Sequence, residues 1–374
     1  MDLHFLRPLY DRPGPWTSVY LDATRAGASA GHEVDLRWRA LRERLAGQGA
    51  DLATLDAIED AVRGHPYQPG HYGLAVFAHD GTVALVEPLP APPPADVAHH
   101  GPLPHAMPLV AQRGEDVPYV RVLADRTGAD LTGVVAHDIP RQRTVTGRES
   151  FPLHRVQAGG WSHRHYQQAA EESWSRNAGD VAAAAADLAE SVGAEVIVVG
   201  GDIRATQLFV ERLPDRWRDR TVRTDAAARH PGADQAGLDE VTVRAVAEAA
   251  DRHARDVIDR YRAQRGDGSA PTGLADVVAG LRRGQLDTVL LVDDVSSTDT
   301  LWISPDDPDL VATDERALRE SGVADPQEVR ADAALLRAIA RTGARLVLVG
   351  PDEVPLTRGI GAVPRYADAG TVRS

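Results

Sequence analysis

The sequence contains no cysteine, and its 41 basic side chains are all arginine. The first absence excludes disulfides, thiolate zinc sites and cysteine nucleophiles together. It fits a reducing compartment. The second, in a chain rich in alanine, arginine and glycine, is a compositional bias and carries no chemistry. Long apolar runs are also missing. The longest are only a few residues, such as Val196-Ile197-Val198-Val199, far below the 18 or so residues a membrane span needs. The opening Met1–Pro8 has no basic stretch followed by an apolar one, so no signal peptide is expected. A soluble, cytoplasmic protein with no membrane partner is the expectation.

Positive charge is in short supply overall. The net charge is −14, which argues against indiscriminate nucleic-acid binding and against a DNA partner, while leaving room for a local basic tip. What is present is ordinary globular material: 43% apolar and 26% charged residues in a chain of 374. Two or three domains are expected at that length.

Residues 1–115 read as a mixed α/β domain. Thr17–Leu21 is strand-like, Glu33–Ala46 and Asp51–Arg63 are helical, and Gly73–Ala78 and Thr82–Glu87 flank an Asp80-Gly81 hairpin signal. The proline-rich stretch Pro88 to Pro108 reads as a linker or surface-hugging connection. Residues 116–265 hold a hairpin around Asp125–Gly128, then a long helix. In that helix Tyr166, Ala170, Trp174, Ala178, Val181, Ala185, Leu188 and Val192 make one apolar stripe. A buried strand, Val196–Gly200, and a second long helix, Asp239–Arg262, follow. Residues 266–374 open on a hinge-like Gly266–Ser269. They alternate helices (Leu274–Arg283, Glu328–Arg341) with strands (Asp287–Asp293, Arg345–Val349), which predicts a small sheet covered by helices. The fold class is α/β, in three domains.

The window from Pro140 to Ala170 stands out. It carries Arg141, Arg143, Arg148, Arg155 and Arg164 with His154, His163 and His165, against the single acid Glu149. At its centre Ala158-Gly159-Gly160-Trp161 precedes the long helix. Paired glycines permit close backbone approach to a partner, and a tryptophan beside a basic loop suits RNA, whose bases stack on aromatic faces. A surface loop whose tryptophan folds onto its own domain is the alternative. Other candidates are weaker. His163 and His165 have no nearby carboxylate to complete a metal site. Gly200-Gly201-Asp202 lacks the full Gly-x-Gly-x-x-Gly pattern and reads as a tight turn. Asp293-Asp294 reads as a solvated strand end, Asp306–Asp309 as a solvated loop and His99-His100 as exposed. No metal, no cofactor and no catalytic residue are expected.

The window resembles the middle domain of the eukaryotic and archaeal peptide-chain release factors and their relative Pelota, where a Gly-Gly-Gln loop precedes a long helix. Gly159 and Gly160 match the two glycines, and Trp161 stands at the glutamine position. Three other stretches agree. Ala194–Gly201 resembles the family's next strand and turn. Leu281–Val292 resembles the start of an L7Ae-like domain. Thr342–Val349 with Gly359–Tyr366 resembles its closing pattern. The resemblance covers roughly 117–374, and more weakly 1–110, where it is to the bacterial branch typified by the Balon-type hibernation factors.

The resemblance implies a diverged N-terminal domain, an RNase H-like middle domain and an L7Ae-like C-terminal domain. It implies a 70S ribosome partner, with the protein in the A site. The rRNA contacts would come from Arg141, Arg143, Arg148, His154, Arg155, Gly159, Gly160, Trp161, His163, Arg164 and His165. It also implies elongation factor EF-Tu as a protein partner for residues 266–374, where 11 arginines face 18 acids. The family's glutamine helps place the water that hydrolyses the peptidyl-tRNA ester. An indole has one N–H donor and no acceptor, so a non-enzymatic hibernation or stress factor is expected. A peptidyl-tRNA hydrolase or rescue factor, and a binding scaffold away from the ribosome, are the alternatives.

Overall fold

The structure is a computed structural model describing residues 1–24, 30–66, 68, 70–135, 139–147, 160–225, 227, 229, 235–294 and 297–366. The side chains of 30, 31 and 160–171 also lie outside that description.

A 3₁₀ turn over His4–Leu9 leads into β1 (Trp16–Asp22), α1 (Ala30–Gly47), α2 (Leu52–Gly64), β2 (Gly73–His79), β3 (Thr82–Leu89), β4 (Val97–Gly101) and α3 (Met107–Arg113). Next come β5 (Tyr119–Asp125), β6 (Gly128–Val134), β7 (Arg141–Thr146), α4 (Gly160–Val192), β8 (Val196–Gly201), α5 (Ile203–Arg212), α6 (Asp215–Arg218), β9 (Thr221–Thr224) and α7 (Ala236–Gly266). The remainder is α8 (Leu274–Arg282), β10 (Leu286–Val292), β11 (Thr300–Ile303), β12 (Val311–Ala312), α9 (Glu315–Glu320), β13 (Gln327–Arg330), α10 (Ala331–Thr342), β14 (Arg345–Val349) and β15 (Ile360–Pro364). These form two compact units. One joins Met1–Glu115 to Ala254–Ser374, and the other is Asp116–His253. The mixed α/β class expected from the sequence is what the chain adopts.

In the first unit the antiparallel sheet β3-β2-β1-β4 is covered on both faces. Successive side chains of a strand point to opposite faces, and β1 shows it. Val19 and Leu21 pack with Trp38, Leu41 and Ile58 of α1 and α2. Trp16 and Tyr20 turn the other way, into a core shared with residues 277–362. The N-terminal turn completes that core. Leu3, Leu6 and Leu9 recur every third residue, the spacing that aligns side chains in a 3₁₀ helix. All three are fully buried in the cluster that holds Leu335, Leu336 and Ile339 of α10. Segments 1–115 and 266–374, read separately in the sequence, therefore share one interior. The C-terminal part contributes two small sheets, β14-β10-β15 and β12-β11-β13.

Three local expectations change. The proline-rich stretch is not only a connection. It contains the edge strand β4, paired to β1 alone, and α3, which carries Pro108 in its first turn. The first turn of a helix is a place where a missing N–H costs little, and β4 itself holds no proline. The helix expected from Glu328 starts at Ala331, because Gln327–Arg330 pairs with Thr300–Ile303 as β13. His99, expected exposed, is half-buried on β4, with its ring 5.5 Å from that of His105.

In the second unit one sheet runs β7-β6-β5-β8-β9, with β5, β8 and β9 parallel and β6 and β7 antiparallel. Val196–Val199 are buried to a residue, as expected of a strand covered on both faces. One face takes the stripe of α4, where Ala182, Ala185 and Ala189 are fully buried beside Val181, Leu188 and Val192. Small residues let the helix lie close to the sheet. The other face takes Leu238 and Ala245 of α7. No helix among the described residues is long and apolar enough to cross a membrane.

Candidate nucleic-acid interface

The site is built outward from a clamp at the mouth of the second unit. β7 is followed by Gly147, whose N–H donates to the Thr127 carbonyl at 2.6 Å. A Cβ on Gly147 would stand 2.3 Å from the carboxamide of Asn177, so only glycine fits there. Asn177 is buried on α4 and donates from Nδ2 to the Arg126 carbonyl at 3.2 Å. The end of β7, the β5–β6 turn and the middle of α4 are thus fixed to one another. The basic segment leaves from this point and rejoins the described chain at Gly160, the first residue of α4. At 1.5 Å per residue, α4 carries Gly160 about 25 Å along its axis from Asn177. The site has a firm base and a long stalk.

The base is an arginine–carboxylate assembly. Arg126 lies over the Trp174 ring at 4.6 Å and pairs with Asp202 at 3.2 Å. Asp202 also caps α5, accepting from Arg204 N and Ala205 N at 3.0 Å each. Arg229 bridges Asp125 (3.2 Å) and Asp130 (2.9 Å) with only 14% of its side chain exposed. Hydrogen bonds from Arg229, ahead of one from Thr144, hold the Asp130 carboxyl below its usual range despite partial burial. For Asp125 burial pushes upward, and hydrogen bonds from Thr127 with the nearby Arg229 outweigh it. Gly201 has a structural role. Its φ is +129°, and a Cβ there would meet the Ala124 carbonyl oxygen at 1.9 Å.

Among the described residues, the predicted contacts do not all lie in one place. Arg148, His154, Arg155 and Gly159 lie outside the described residues. Gly160, Trp161, His163, Arg164 and His165 form the first turns of α4, so the helix begins inside the Gly-Gly-Trp sequence rather than after it. The side chains of those five also lie outside the description. Arg141 and Arg143 stand at the opposite end of the helix. Arg141 donates to the Ser191 carbonyl at 3.1 Å, and Arg143 approaches Asp187 at 4.0 Å. Asp187 is about 40 Å along the axis from Gly160. Closeness in sequence does not become closeness in space here, because β7 runs back along α4. The Arg126–Trp174 contact is not visible in the sequence: Trp174 belongs to the apolar stripe, yet it is only half-buried and carries a guanidinium on its face.

The sequence profile described as bacterial archaeo-eukaryotic release factor family 2 matches residues 118–267. The Mycobacterium tuberculosis proteins Rv2629 (strain H37Rv) and MT2704 (strain CDC 1551) are each 30% identical over 365 residues, which is 97% of this chain and 96% of theirs. Among solved structures, an archaeal translation termination factor matches at 16% identity over 97% of this chain and 96% of its own, with a TM-score of 0.24. Archaeoglobus fulgidus Pelota matches at 16% identity over 81% and 82%, with a TM-score of 0.35. Saccharomyces cerevisiae Dom34, a translation termination-like factor involved in RNA quality control pathways and interacting with Hbs1, matches at 11% identity over 81% and 83%, with a TM-score of 0.37. The chain belongs to the bacterial archaeo-eukaryotic release factor family.

Proposed function

We propose that the protein binds the 70S ribosome in a vacant A site as a non-enzymatic hibernation or stress factor. The Gly159-Gly160-Trp161 tip would point toward the peptidyl-transferase centre. The observation that carries this reading is the 33-residue α4, which starts at Gly160 and is anchored at Asn177 to a sheet. A rigid stalk of this length delivers a small tip into a deep cavity. Trp161 supplies a stacking face and lacks the acceptor needed to orient a hydrolytic water. The C-terminal residues 266–374, net negative, suit a protein partner better than rRNA, and EF-Tu is the partner the family resemblance suggests.

Co-sedimentation with 70S particles from starved cells tests the binding. Gly159→Pro with Trp161→Ala is expected to weaken it while leaving the fold intact. A parallel assay measures ester hydrolysis on stalled 70S complexes. Turnover that survives Trp161→Ala would replace this reading by a peptidyl-tRNA hydrolase. Absence from ribosomes in every growth phase would replace it by a scaffold acting elsewhere.

A further inference from the structure

A cavity of about 430 Å³ in the first unit lies between the segment Leu9–Trp16, the end of β4, the loop that follows β11, and α10. The buried part of its lining is mostly apolar: Leu9, Trp16, Leu103 and Ile303, with Tyr10 and Arg337 among them. The exposed residues Asp11, Arg12 and Asp306 mark its mouth. A volume of this order suits a small molecule.

Arg337 is a cation inside this lining, only 4% exposed. Its two terminal nitrogens donate to the carbonyls of Ser304 (3.4 Å) and Leu310 (3.3 Å). Both distances exceed the roughly 2.7–2.9 Å of a charge-assisted bond. Its Nε–H is buried with no acceptor among the described residues. Asp309 raises its proton affinity, but that carboxylate is engaged by Arg341. Burial pulls the guanidinium down to about 10, so it stays charged at neutral pH. The Tyr10 hydroxyl is also buried with no partner among the described residues. Burial pushes its proton affinity upward against the nearby Arg337, so it remains an O–H donor. The neighbouring polar groups are satisfied. Gln48 accepts from the His100 N–H at 2.7 Å and donates to the Ala98 carbonyl at 3.1 Å. The His100 ring meets the Thr17 hydroxyl at 2.9 Å. Stapling the loop after β11 accounts for the terminal nitrogens of Arg337 but not for its Nε or for Tyr10. Buried donors are costly to leave unmet, and a buried cation without a counter-charge is costlier still.

Two donors without acceptors, one of them cationic, among apolar walls call for an anion with an apolar body. The mouth sets Asp11 and Asp306 beside Arg12, so it adds no net positive charge for a second anionic group. We propose that this cavity binds a small monocarboxylate, its oxygens accepting from Arg337 and Tyr10 and its apolar body lying against Trp16, Leu103 and Ile303. Every lining residue belongs to the first unit, so the site stands or falls independently of ribosome binding.

The test is a titration of the full chain, without ribosomes, with hexanoate and with 3-phenylpropionate, followed by ligand-detected NMR. Saturable one-site binding of at least one is expected. 3-Phenylpropionamide, which lacks the charge, and acetate, which lacks the body, are each expected to bind about tenfold more weakly. Arg337→Met keeps a long apolar side chain and is expected to weaken the carboxylate by about tenfold or more. Tyr10→Phe deletes only the unpartnered hydroxyl. It is expected to melt no lower than wild type, by circular dichroism, and to weaken the carboxylate by about fivefold. Failure of both apolar acids to saturate, equal affinity for the amide, or unchanged affinity in either folded variant would overturn the proposal. Should Arg337→Met not fold, Tyr10→Phe decides alone.

Discussion

The side chain of Asn177 occupies the space that a β-carbon on Gly147 would need, and the same side chain holds the Arg126 carbonyl at 3.2 Å. One buried amide thus sets where the basic segment departs and which turn it departs from.

Gly147→Ala is expected to destabilise the second unit by about 1–3 kcal/mol, because the new methyl cannot share that volume. Asn177→Ala alone is expected to cost about 1–2 kcal/mol through the stranded carbonyl. The double variant should cost less than the sum, since the cavity left by one change accepts the other. Urea unfolding of the three variants measures this. Strict additivity would mean that the two residues do not meet.

Arg229 gives a pH-dependent contribution. The carboxyls of Asp125 and Asp130 are held low in the folded state. The stabilisation is therefore present above their unfolded values near 4 and is lost as pH falls through the lower folded values. Arg229→Ala is expected to cost about 1 kcal/mol at pH 7, a modest figure because Asp130 is half exposed. The difference from wild type should shrink below about pH 4. A constant difference down to pH 2 would point to lost packing instead.

His105 acts in the same sense, over a higher pH range. Burial depresses its folded value to about 4, so the unfolded state binds the extra proton between roughly pH 6.5 and 4. Stability of the first unit is expected to fall as pH drops through that window. His105→Gln should flatten the slope. NMR titration of the imidazole checks the premise, and a midpoint above 6 would contradict it.

Trp161→Ala is expected to weaken 70S co-sedimentation by roughly tenfold or more, the worth of one base stacked on an aromatic face. Binding should fall only shallowly with salt if few arginines touch phosphate. Trp161→Gln supplies a side-chain amide with both donor and acceptor, and if the missing acceptor is what prevents hydrolysis, ester hydrolysis on stalled complexes is expected to appear with it.

Much of the architecture was legible because periodicity is local. The stripe of α4, the buried run Val196–Val199 and the Asp80-Gly81 hairpin each show within a few turns of chain. Short strands such as β12 and β13 were not legible, since their pairing with β11 comes from residues 8–30 positions away. The helix start at Ala331 was lost for the same reason. At the site, residue types were readable but grouping was not. Nothing near Arg141 in sequence announces that its partner is Ser191, fifty positions on. Nor does anything near Asp125 announce Arg229.

The shared interior of the first unit has a consequence for biosynthesis. Leu3, Leu6 and Leu9 reach the ribosome exit long before the α10 residues that cover them. Residues 116–253, which lie between them in sequence, have a core of their own. The nascent chain therefore carries an uncovered apolar face through the translation of more than two hundred codons. A protein of this family would be its own translating ribosome's client, in need of shielding, until its last third emerges.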